Sequence, residues 1–125
     1  MKKLLKRISL LILFMYVTLG LYLFFNQHHF LYFPTTDQVT KHESFSFQNE
    51  GESIHVIRLN PGYPKAILYF GGNAESMAES ADYIAGQFPK FTVYLMDYRG
   101  YGASSGEASE AGLDSDALKL YDSIH

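Results

Sequence analysis

Residues 65–106, KAILYFGGNAESMAESADYIAGQFPKFTVYLMDYRGYGASSG, constrain the fold more than any other stretch. They read as strand, glycine loop, helix, strand, glycine loop, the composition and size of a parallel βαβ crossover. Ala66–Phe70 (AILYF) is a short apolar run between Pro64 and Gly71, which predicts a fully buried strand. Gly71-Gly72-Asn73 follows at once, and two glycines can take φ > 0 or admit a ligand close to the backbone. From Ala74 to Phe88, Met77, Ala81, Ile84, Ala85 and Phe88 recur at helical spacing, and Pro89 ends the helix. Phe91–Met96 is the second buried strand, and Asp97-Tyr98-Arg99-Gly100-Tyr101-Gly102 the second loop. Both loops fall where strands end, which is where open α/β sheets keep their chemistry.

The chain has 125 residues, room for one small domain, and 47 % hydrophobic content argues against disorder. Charge is unevenly placed. Lys2, Lys3, Lys6 and Arg7 take four of the ten basic residues, which leaves six bases against thirteen acids in the rest, a net −7. An acidic body argues against nucleic acid as a partner. Without cysteine there is no disulfide, thiol nucleophile or thiolate metal site.

After the basic head, Ile8–Phe25 runs eighteen residues without a charge, near the lower end of what spans a bilayer. A cleaved signal peptide is the competing reading. The run is long for a signal core, and no small-x-small site follows Leu23-Phe24-Phe25-Asn26-Gln27, which favours an uncleaved anchor. The basic head then stays in the cytoplasm and the body lies on the far side of the membrane. His28-His29 lies just past the membrane edge and lacks the further ligands of a metal site. Phe30–Pro34 is an aromatic patch, and Thr35–His42 a polar connector. Glu43–Phe47 alternates as a half-buried strand does, and Ser53–Leu59 follows a turn, so the two predict an antiparallel hairpin. Ser109 is a fair N-cap for a last helix with Leu113, Ala117, Leu120, Tyr121 and Ile124 on its apolar face. Asp114, Asp116 and Asp122 read as its solvated face rather than as a metal site. No residue set calls for a metal or cofactor.

The pair LYFGGNAESM and DYRGYGASSG resembles the first half of an α/β-hydrolase, in the branch of membrane-anchored serine-aminopeptidase- or esterase-like enzymes. The resemblance covers roughly residues 30–125 and implies an α/β fold: a partial hydrolase sheet preceded by one transmembrane helix. Residues 1–29 would be head, anchor and membrane-edge segment, and residues 30–125 the N-terminal part of the domain. The family's first loop reads His-Gly-Asn-Ala; this chain has Gly71 in place of the histidine, and Gly72, Asn73 and Ala74 match. The resemblance makes the Asn73 backbone N–H an oxyanion-hole donor and Gly71 and Gly72 part of the substrate loop. Asp97 and Arg99 are expected to hold the second loop by hydrogen bonds and an ion pair. His55, in mid-strand, is not expected to be catalytic.

Gly102-Ala103-Ser104-Ser105-Gly106 matches G-x-S-x-G, yet it is a poor nucleophile elbow. An elbow needs a strand running directly into the serine and a helix directly after it. Ser104 instead follows a glycine loop, and no apolar residue suited to burying a helix comes before Leu113. In the family the elbow and the triad histidine lie later in the domain than the segment matched here. The chain is therefore expected to be a truncated form without a triad, inactive alone, whose full-length relative cleaves small-molecule or peptide esters and amides. The alternative is a non-catalytic, membrane-anchored remnant or interaction module. Without the elbow strand, the strand at Ala66–Phe70 is expected to be an exposed edge.

Overall fold

The computed structural model describes residues 1–36 and 39–124. Asp37 and Gln38 of the polar connector, and His125, lie outside the described residues. The chain divides into two compact units, Met1–Leu31 and Tyr32–His125.

The first unit is one helix, α1 (Lys2–Leu31), of 30 residues with no buried side chain. Thirty residues rise about 45 Å, and with a mean hydropathy of 2.3 over its most apolar 18 residues the helix is long and apolar enough to cross a membrane. Two of its polar side chains bond to the helix backbone: Thr18 Oγ1 donates to the Phe14 carbonyl and Asn26 Nδ2 to that of Tyr22, both at 2.8 Å. Such bonds spare an apolar solvent from unsatisfied donors. The helix continues past Phe25, so His28 and His29 form its last turn rather than a segment beyond it. Imidazoles there face the negative end of the helix dipole.

The second unit is α/β. Its elements run β1 (Glu43–Asn49), β2 (Glu52–Leu59), β3 (Ala66–Phe70), α2 (Met77–Gln87), β4 (Thr92–Met96) and α3 (Glu110–Ser123). They build a mixed four-stranded sheet in the order β1-β2-β4-β3. β1–β2 and β2–β4 are antiparallel; β3 and β4 are parallel, joined through α2. The β1–β2 hairpin turns on Glu50 (φ 52°) and Gly51 (φ 87°), the doubly left-handed turn that matches strand twist.

Alternation along the strands separates two cores. On one face Ile57, Leu59, Val93 and Leu95 pack beneath Met77, Ala81 and Ile84 of α2. On the other, Ile54, Val56 and Met96 pack with Leu120 of α3. α2 starts at Met77 rather than Ala74, because Ser76 caps it by accepting from Glu79 N (3.3 Å). Ser109 caps α3 in the same way, accepting from Gly112 N at 3.2 Å. Two residues expected on apolar faces are exposed. Phe88 is the C-cap of α2, and Tyr121 points out because α3 turns Asp116 and Leu120 inward.

β3 is an edge strand. The full burial that its apolar composition predicts is therefore not reached: Ala66 and Phe70 are exposed and the three residues between them half-buried. Thr92 N donates to the Lys65 carbonyl (3.0 Å). With the parallel register this directs residues 65, 67 and 69 to β4, and leaves the N–H and C=O of Ala66, Leu68 and Phe70 facing the open side.

Candidate functional site

The C-terminal ends of β3 and β4 lie side by side, and each opens into a glycine loop. The first, Gly71–Ser76, is largely exposed at Gly72, Asn73 and Ala74. Its left-handed residue is Ala74 (φ 64°), and neither Gly71 nor Gly72 takes the positive φ open to glycine. Gly71 is small for a packing reason instead: a Cβ there would run into the terminal methyl of Met77, the first buried residue of α2.

Glu75 ties this loop together. Its carboxylate accepts from Gly72 N (2.7 Å), Ser80 Oγ (2.8 Å) and the Tyr69 hydroxyl (3.2 Å). Burial pushes the Glu75 carboxyl up, and these three donors outweigh it and hold the group below the usual carboxylate range. Tyr98 supports the same loop from the second one, donating its hydroxyl to the Gly71 carbonyl at 2.9 Å.

Asn73 joins the two loops and the lead-in segment. Its Oδ1 accepts from the Tyr101 hydroxyl (2.8 Å) and from Phe33 N (3.1 Å), while Phe33 N also lies 2.9 Å from the Tyr101 oxygen. Two residues on, Gly102 N donates to the Thr35 carbonyl (3.0 Å) beside a short parallel bridge between Thr36 and Gly102. The side chain of the residue expected to offer a main-chain donor is thus fixed from two directions.

The second loop is buried and cross-braced. The antiparallel register that pairs Val56 with Met96 brings His55 opposite Asp97 one step later. His55 Nδ1 lies 2.8 Å from Asp97 Oδ2, and Ala103 N donates to the same oxygen at 3.3 Å. Gly102 (φ 52°) closes over that carboxylate, which a Cβ would strike. Ser104 Oγ accepts from His55 N and donates to the Asp97 carbonyl, both at 2.8 Å. A serine, a histidine and an aspartate therefore meet in one knot without forming a triad. The hydroxyl is spent on two main-chain groups, and the residue is 9 % exposed.

Arg99 braces the loop from the α3 side. Its guanidinium forks onto Asp116, Nε to Oδ2 at 2.6 Å and a terminal nitrogen to Oδ1 at 2.9 Å, and reaches Glu50 at 2.8 Å. Hydrogen bonding to Asp116, then to Glu50, raises its pKa further against the cost of burial. Asp116 is fully buried, not part of a solvated face, and also accepts from Asn49 Nδ2 (2.8 Å). Asp97 and Arg99 do hold the loop, each through a separate partner. The His55–Asp97 and Arg99–Asp116 pairings carry no local sequence signal; only the strand register and the helix rotation create them. Among the described residues no His, Cys, Asp and Glu gather as a metal site.

No protein-family profile matches the chain. A protein from Agrobacterium vitis S4, provisionally named a hydrolase and solved by crystallography at 1.80 Å resolution, superposes on it with a TM-score of 0.47 and 20 % identity. The superposition covers 70 % of this chain and 37 % of that one, so the chain spans little more than a third of its neighbour's length.

Proposed function

We propose that residues 32–124 are an α/β-hydrolase-like body carried on a single membrane anchor, and that the Gly71–Ala74 loop is the oxyanion side of an ester-, amide- or peptide-hydrolysing site. The observation that carries this reading is the lacing of the two strand-end loops through Asn73, Tyr101 and Phe33 at the C-terminal ends of parallel β3 and β4. In this reading the Asn73 backbone N–H donates to the developing oxyanion. The nucleophile belongs to a further strand beside β3, whose outward N–H and C=O groups suit one. The four-base head of α1 supports a cytoplasmic N-terminus with the body on the far side. The test is the coding DNA beyond the His125 codon: an apolar strand leading into G-x-S-x-G in any frame supports the reading, and unrelated sequence removes it.

Ser104 favours a second reading, a non-catalytic anchored module. Its proton is donated to the Asp97 carbonyl rather than to a general base, and the histidine it touches is met at the backbone. A fluorophosphonate probe should leave the purified 125-residue chain unlabelled. Labelling that vanishes in Ser104→Ala would restore the serine as a nucleophile and end this second reading.

A further inference from the structure

We infer that the open edge of β3 pairs with β3 of a second copy, antiparallel and centred on Leu68. The inference rests on the module reading above and treats the edge as an interaction surface in its own right. Sheet edges are ordinarily guarded by charge, proline or bulges. β1, the opposite edge, carries Glu43, Ser44, Ser46 and Gln48. β3 reads Ala-Ile-Leu-Tyr-Phe and has none of these guards. α2 packs mainly on β2 and β4, and Leu120 of α3 on β2 and β4, so both helices cover the faces of the sheet and centre away from the outer side of β3.

The strand is complementary to itself in that register. Ala66, Leu68 and Phe70 turn their backbone groups outward, so Leu68 meets its own copy and Ala66 meets Phe70 of the other chain as hydrogen-bonded pairs. Small sits opposite large twice, on the same face. One step further, Lys65 falls opposite Gly71 in a closely spaced pair, and the lysine stem meets the terminal methyl of Met77 that fills the place of a Gly71 side chain. A Cβ at Gly71 would lie 3.2 Å from Glu75 Oε2. The Lys65 ammonium of one copy therefore comes within reach of the Glu75 carboxylate of the other, and symmetry makes the pair twice. Among the described residues Glu75 is hydrogen-bonded within its own chain by neutral donors only, and exposed Lys65 makes no ion pair.

The chain has no cysteine, so single substitutions report cleanly. In the full chain in detergent micelles, Leu68→Cys should give a disulfide-linked dimer on mild oxidation, and Ser46→Cys on β1 should not. Adding Lys65→Glu to Leu68→Cys should cut the cross-linked yield at least about fivefold, the size of two exposed ion pairs turned into repulsions. Leu68 is half-buried, so mixing Ala66→Cys chains with Phe70→Cys chains repeats the test at exposed positions and should give the mixed dimer. Equal cross-linking at Ser46 and Leu68, a yield indifferent to Lys65→Glu, or a monomer with no cross-link at either β3 test would each overturn the inference. A β3 edge taken up by a further strand gives that last result and leaves the hydrolase reading standing, since the downstream DNA reads that out separately.

Discussion

The two glycine loops leave neighbouring parallel strands at the same end of the sheet, yet they are built to opposite ends. The loop after β4 is buried, cross-braced by the Arg99–Asp116 fork and closed around Asp97 and Ser104. The loop after β3 is exposed, and what holds it is one partly buried carboxylate, Glu75, with Asn73 and the Tyr98–Gly71 bond as its ties to the rest. Similar composition thus serves scaffold in one place and access in the other. What decides between them is whether a charged partner from another element arrives to fill the loop.

That contrast is broken most severely at Arg99. Arg99→Ala leaves the Asp116 carboxylate at 0 % exposure without its cation. Removing one partner of a buried pair costs about 3–5 kcal/mol, enough to consume much of a small domain's stability. Chemical denaturation of the full chain in detergent should show the loss, and an unchanged midpoint would mean that the fork is not formed. Next come the glycines. Gly102→Ala meets both a left-handed φ and the Asp97 carboxylate, and should cost about 1–3 kcal/mol. Gly71→Ala meets the flexible end of Met77 and, at 3.2 Å, the Glu75 carboxylate, without a left-handed φ, and should cost about 1 kcal/mol or less. Equal losses in thermal unfolding would erase the distinction between the loops. Ser104→Ala strands the His55 N–H, for a loss of about 1–3 kcal/mol. It should leave Asn73 and Tyr101 in place, readable as unshifted amide signals in that loop.

Much of the scaffold was legible in the residues. β3 falls at Ala66–Phe70 as its apolar run and flanking Pro64 and Gly71 predict, and β4 starts only one residue later than expected, at Thr92. Ser109 caps α3 because its side chain competes locally for a backbone N–H, which needs no tertiary information. The sheet order escaped periodicity, since an apolar run looks alike at an edge and at the centre; only the resemblance placed β3 at an edge. The buried Asp116 escaped it too. An aspartate at a helical surface position reads as solvated until an arginine seventeen residues earlier, on a different element, turns out to face it. The site divides the same way: the loops were visible in Gly71–Ala74 and Asp97–Gly102, whereas Glu75 as their fastener and Tyr101 as the hand on Asn73 follow from geometry alone.

The smallest expected effect is the pH dependence of the open loop, and it tests whether Glu75 is the fastener. Its carboxylate is favoured in the folded chain by the Gly72 N–H, Ser80 and Tyr69, against the cost of burial, so its pKa lies below the ordinary value of 4.5. A group whose folded pKa is depressed binds protons more weakly in the native state than in the unfolded one. Its contribution to stability is therefore fully present above the unfolded pKa and is lost as pH falls through the folded one. Glu75→Gln cannot titrate, and its amide turns an NH₂ toward donors that need an acceptor. The stability gap between the natural chain and Glu75→Gln should be constant near neutral pH and close progressively below pH 4.5. The comparison cancels every other carboxylate, including the buried Asp116, because both chains carry them. Unfolding midpoints taken along an acid series would show the closing gap. A gap that stayed level through that range would mean that Glu75 is not the charge holding Gly72, and the open loop would need another fastener.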